Sequence, residues 1–192
     1  MTKITTPKLS IELIPSTCFF SNVRSMVSSK DWNKIRGISY MNADNKCEIC
    51  GSTGKKQGYN HNVQCHEVFE YYDKLCVQKL VKLVSLCVVC HLVKHIGRSI
   101  KVGKKDECFA QLAKVNKWNQ QQINEHIETS FEVYKERSQF EWSLDLTILN
   151  DEPYNLKINL NAKRKFAINK YKKKRKRKPK KIINKRPKKK II

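Results

Sequence analysis

The chain has no long hydrophobic run: nothing in its 192 residues approaches the ~18 apolar residues that a bilayer-spanning helix needs. Its first residues, Met1-Thr2-Lys3-Ile4-Thr5-Thr6-Pro7, lack the apolar stretch of a secretory signal. Without that signal, the eight cysteines argue against a disulfide framework and for metal ligation in a reducing compartment. An intracellular protein with no membrane partner is expected. Repeats are also missing, beyond two short cysteine motifs. Acidic residues are missing from one end. From Asn161 to Ile192 there are eighteen Lys and Arg and no Asp or Glu. Residues 1–160 hold 22 basic and 17 acidic residues, a balance of only +5. The polycation is therefore an appendage on a mildly basic body. Its low complexity and uncompensated charge predict disorder over 161–192. The run Lys172, Lys173, Lys174, Arg175, Lys176 and Arg177 is its densest part, expected to contact nucleic-acid phosphates without regard to sequence.

What is present is punctuated by cysteine. Cys47-x2-Cys50 and Cys87-x2-Cys90 form two knuckles able to close a tetrahedral zinc site. Cys18, Cys65, Cys76 and Cys108 lack partners at ligand spacing, and Cys18, Cys76 and Cys108 read as small buried hydrophobes. Cys87-Val88-Val89-Cys90-His91 also matches a haem-attachment string, but that chemistry needs export and would leave Cys47 and Cys50 unexplained. Three histidines exceed what a four-cysteine site requires: His66 between the knuckles, and His91 and His95 just after the second.

Residues 1–30, with Pro7 and Pro15, read as an irregular arm, docked through Ile11, Leu13, Ile14, Phe19 and Phe20. Asp31 is placed to cap a helix running through Trp32, Ile35 and Ile38 toward Met41. Val63 to Tyr71 alternates, with Cys65, Glu67, Phe69 and Tyr71 opposite Gln64, His66, Val68 and Glu70, which predicts a strand. Leu80 to Leu86 reads as a second strand. After Cys87 the spacing turns helical, with His91 and His95 one turn apart and Gly97 placed as its stop. Helices are expected over Asp106–Val115 and about Gln120–Gln139, then an extended stretch from Phe140 to Leu149.

Knuckle, strand with histidine, strand, knuckle and helix with histidines: this order resembles the HNH endonucleases of the ββα-metal (His-Me finger) superfamily. The strings Cys65-His66-Glu67-Val68-Phe69-Glu70-Tyr71-Tyr72-Asp73, Gln78-Lys79-Leu80-Val81-Lys82-Leu83 and Leu86-Cys87-x-x-Cys90-His91-x-x-Lys94-His95-Ile96-Gly97 carry the likeness. So do Ser21-Asn22-Val23-Arg24 and, near the end, Glu136-Arg137-Ser138 and Glu141-Trp142-Ser143-Leu144-Asp145. They are similar to a small HNH type found in phages and large DNA viruses, over about residues 15–150. The resemblance implies an α+β fold, a zinc-stapled ββα-metal core with flanking helices over residues 31–150. It implies hydrolysis of DNA phosphodiesters in a host cytoplasm or nucleus. His66 would be the general base and His91, with His95, would ligate a catalytic Mg²⁺ or Mn²⁺. Two positions depart from the pattern. Lys82 stands where the middle Asn is expected, and Cys65 precedes the base where a metal-ligating Asp or His is common. Glu67 and Lys82 are the accessory candidates. The alternative from another class is a catalytically silent, zinc-dependent nucleic-acid-binding protein.

Overall fold

The alternating stretch folds as strand β1 (Gln64–Tyr72), which pairs antiparallel with β2 (Val77–Leu86) in a computed structural model that describes residues 7–158. A tight turn joins them, with Cys76 in the left-handed region at φ 48°. Its thiol faces the Asp73 carbonyl and is only partly covered, not the buried filler its isolation suggested. The pairing slips by one residue between Val68 and Phe69, leaving Val81 as a bulge. The third strand, β3 (Ser143–Asp145), lies parallel to β2. Only these three residues of the stretch expected to be extended form a strand; Thr147–Asn150 is a 3-10 turn.

Because side chains alternate along a strand, the hairpin separates two apolar clusters. One holds Val23, Met26, Ile35, Leu80, Leu83, Leu146 and Leu149, with Cys65 and Phe69 against it. Helices α1 (Val23–Met26) and α2 (Ser29–Asn42) cover that side. Ser28, not Asp31, caps α2. Its hydroxyl oxygen accepts the Asp31 N–H at 3.1 Å and its O–H donates to the Asp31 carboxylate at 2.6 Å. Asp31 thus sits in the first turn, where the helix dipole favours an anion.

The second cluster holds Leu9, Ile11, Val84, Leu86, Val93, Ile96, Leu112 and Ile123. It is closed by α3 (Val88–Lys94), α4 (Ile96–Lys101), α5 (Lys105–Asn116) and α6 (Gln120–Arg137). Ile123, Ile127 and Phe131 of α6 pack into it. Gly97 does not stop a helix. α3 breaks at His95 and the chain continues as α4 through Gly97, which lies against Leu13 and Phe131.

The arm is built into this core. Leu9 and Ile11 are buried, each contributing about 1.5–3 kcal/mol of apolar burial. Phe19 and Phe20 remain exposed instead. Side chains pin the backbone: Asn116 brackets Leu9 by two hydrogen bonds, and the Ile11 N–H donates to His126 Nε2 at 3.0 Å. The arm also carries the short helix α1, so it is less irregular than its prolines suggested. Among the described residues no helix is long and apolar enough to cross a membrane.

Candidate metal and catalytic centre

Cys47, Cys50, Cys87 and Cys90 bring their sulfurs within 4.8 Å of one another, although 37 residues separate Cys50 from Cys87. Cys50 and Cys87 are 3.5 Å apart, too far for a disulfide and close to the ~3.8 Å between sulfurs in a tetrahedral zinc site. The first knuckle closes as a turn, with the Gly51 N–H donating to the Cys47 carbonyl and Gly51 at φ 70°. It is sewn to β2 through Glu48. The Glu48 N–H donates to the Ser85 carbonyl, and its carboxylate accepts the Ser85 N–H at 2.8 Å. The loop beyond it depends on Gly54, where a Cβ would lie 2.2 Å from the His61 carbonyl oxygen.

Crowding sets the acidity of the thiols. Hydrogen bonds from Cys87 and Cys90 draw Cys47 far down, while Cys87 is pushed up to about 12 and Cys90 further still. One thiolate is favoured and each further one is resisted by the charge already there. Side-chain amides stand ready to support such sulfurs. Gln57 donates to Cys87 at 3.3 Å and Gln111 to Cys90 at 3.1 Å. The geometry and chemistry of the cluster suit a structural zinc.

One residue past Cys90, α3 presents a second cluster. His66 from β1, His91 from α3 and His95 at the helix break place ring nitrogens within 4.8 Å of one another. Their ring centroids lie 4.9–5.2 Å apart with edge-on geometry. Burial first, then His95 and His66, holds His91 down at about 2. Burial first, then His66, holds His95 at about 4. Both imidazoles are thus neutral at neutral pH, as metal ligation requires. Polar neighbours orient the rings of His91 and His66. Gln64 Oε1, an acceptor, lies 2.6 Å from His91 Nδ1, so that nitrogen carries the proton and Nε2 keeps the lone pair. His66 Nε2 lies 2.8 Å from a Glu12 carboxylate oxygen, an acceptor, so that nitrogen is the donor of the pair and Nδ1 is the ring nitrogen left outside it.

Glu12 is the residue that sequence reasoning missed. It stands between His66 and the buried ammonium of Lys94, which also donates to Ser10 Oγ at 3.0 Å. Burial would push its carboxyl up. The His66 hydrogen bond and then the Lys94 charge reverse this and hold it down at about 2. The backbone completes the clasp, with the Glu12 N–H donating to the Lys94 carbonyl at 3.1 Å. Gln64 was missed as a partner, though the strand alternation had already placed it on the face of His66.

The accessory candidates stand elsewhere. Glu67 is on the opposite face of β1, where its carboxylate accepts the Val23 N–H at 2.7 Å and burial pushes it up to about 7. The β2 bulge at Val81 falls opposite the step after Val68 and does not turn Glu67 round. Lys82 is mostly exposed and pairs with Glu48 at 2.9 Å, on the knuckle side of the hairpin. Neither joins the histidines. Lys172 to Arg177 and the basic run around them lie outside the described residues. No family model matches the chain, and neither does any curated protein or solved structure.

Proposed function

We propose that the chain is a metal-dependent endonuclease of the HNH type, hydrolysing DNA phosphodiester bonds. The observation that carries this reading is the convergence of His66 on His91 and His95 beside a zinc-suited staple. In this reading His66 takes a proton from the attacking water through Nδ1, while Glu12 holds the opposite nitrogen and fixes the ring. His91 and His95 offer neutral imidazoles to a divalent cation, with Gln64 orienting His91. That cation would supply Lewis-acid stabilisation of the phosphate and of the leaving 3′-oxygen.

The donor set bears on which cation. Among the described residues the ligands offered are the imidazoles of His91 and His95, Glu12 being held by His66 and Lys94, and Cys65 lies on the other face of the strand, against the Val23 and Ile35 cluster. Imidazole suits zinc-like transition ions better than magnesium, which prefers oxygen. Mn²⁺, Ni²⁺ or Zn²⁺ is therefore expected to support cleavage better than Mg²⁺. One observation favours the catalytically silent alternative: Lys82, at the position of the expected Asn, is taken up by Glu48.

Conversion of supercoiled plasmid to nicked or linear form, with each cation in turn, tests the proposal. His66→Ala should slow cleavage by about 10²–10⁴-fold while leaving fold and DNA affinity intact. A His66→Ala variant that cuts like wild type refutes the assignment. Wild type that binds DNA but cuts with no cation leaves the silent binding protein.

A further inference from the structure

One concavity is lined by His66 and another reaches the neighbouring Gln64, and the charged groups in their linings differ. The smaller, about 210 Å³, lies between the arm, β1 and α6 and is lined by His66, Glu12 and Glu67. Its lining carries the Glu12 carboxylate, and its guanidinium, Arg137, is already paired with Asp73. The larger, about 660 Å³, runs over the start of β1 and has no acidic residue among the described residues that line it. Asn33, Arg36 and Tyr40 of α2 form one wall, with His61, Val63 and Gln64 opposite.

Gln64 connects this groove to the chemistry, because it lines the groove and its side-chain oxygen also lies 2.6 Å from His91 Nδ1. Arg36 is exposed and takes part in none of the carboxylate ion pairs seen among the described residues. Lys34 differs: its ammonium donates to the Tyr154 carbonyl at 2.7 Å. A guanidinium beside an amide, a phenol and an imidazole, with no acid among them, is a donor set for phosphodiester oxygens.

We propose that this groove seats the DNA backbone flanking the scissile bond, with Arg36 as its phosphate contact and Gln64 as the residue where groove meets catalytic cluster. The assignment rests on the nuclease reading for its purpose. Its test does not need cleavage. In full-length protein carrying His66→Ala, Asn33 is replaced by the photo-crosslinking residue p-benzoylphenylalanine and mixed with a labelled DNA duplex. The same replacement of Lys114, exposed on α5, is the control. Salt of about 200 mM weakens attraction to the basic run at 161–192.

A DNA adduct from position 33 well above that from position 114, cut at least several-fold by adding Arg36→Glu, supports the groove. No adduct, equal adducts, or an adduct indifferent to Arg36→Glu overturns it. In the cleaving protein, Arg36→Glu should raise KM about ten-fold and leave kcat within about two-fold, the mark of a ground-state phosphate contact. If wild type never cleaves but the position 33 adduct forms, the nuclease reading falls and the groove stands. If wild type cleaves and the adduct is absent, the reverse holds.

Discussion

Replacing Glu12 by Ala should do two separable things, because its two carboxylate oxygens serve different partners. The first is structural. Lys94 is 5% exposed, and without Glu12 its ammonium keeps only the Ser10 hydroxyl. Breaking a buried pair by removing one partner typically costs about 3–5 kcal/mol, because the remaining charge stays desolvated. Glu12 itself keeps 30% of its side-chain surface in water, so the low end, about 3 kcal/mol, is expected. The second effect is catalytic: His66 loses the acceptor that fixes its ring. The double variant Glu12→Ala with Lys94→Met separates the two. Removing both charges should restore stability to within about 1 kcal/mol of wild type, since apolar replacement of a buried pair is often neutral. The fold returns but the acceptor for His66 does not. Guanidinium unfolding gives the stabilities, and plasmid nicking by the refolded double variant should stay about 10²-fold slow or worse. A Glu12→Ala variant that loses under about 1 kcal/mol would refute the buried-pair argument. A stable double variant that cuts like wild type would show that His66 needs no carboxylate.

Cys47→Ser or Cys90→Ser should cost folding itself, since structural zinc supplies on the order of 10 kcal/mol in small domains. Mass spectrometry should find about one tightly held zinc per chain in wild type, and a well-folded zinc-free protein would contradict this. His91→Ala should change which cations support cleavage as well as the rate, whereas His66→Ala should change the rate alone. Stability should fall as pH drops below about 6.5, because His91 and His95 are held down at about 2 and about 4 while the unfolded chain takes protons first. Between pH 6.5 and 5 each histidine accounts for on the order of 2 kcal/mol, read from unfolding midpoints; a flat profile over that range would contradict their burial. Glu12 has the same sign in a lower window, its contribution present above about 4.5 and lost as pH falls through about 2. Removing residues 161–192 should flatten the salt dependence of DNA binding, at about −0.9 in log–log slope per phosphate no longer neutralised, and leave cleavage in place.

The knuckles, the hairpin and the face carrying His66 could be read from the chain because each rests on a local period or a fixed ligand spacing. Strand alternation even placed Glu67 on the wrong side for catalysis, where it caps the start of α1. Glu12 could not be read that way. It lies 54 residues from His66 in a proline-flanked arm without periodicity, and only the burial of Leu9 and Ile11 sets its position. Gly97 misled because a glycine after a helical histidine pair looks like a cap, whereas the break comes at His95, two residues earlier. Lys82 occupies a position that suggested the active site, but its partner Glu48 sits in the first knuckle, which periodicity along β2 does not see.

The two clusters are mechanically one device. The His91 N–H donates to the Cys87 carbonyl at 3.0 Å, so the first turn of α3 is also the second knuckle. Any shift of the sulfurs must move His91, and His95 a turn later, relative to β1. His66 rides instead on the hairpin and is gripped by the arm through Glu12. The cysteine staple therefore fixes one side of the histidine cluster and the arm fixes the other. Loosening either one should open the 4.9–5.2 Å ring spacings on which the proposed chemistry depends. This is why a cysteine variant and a Glu12 variant, altered on opposite sides of the histidine cluster, are expected to lose the same activity by different routes. Only the cysteine variant should also lose zinc.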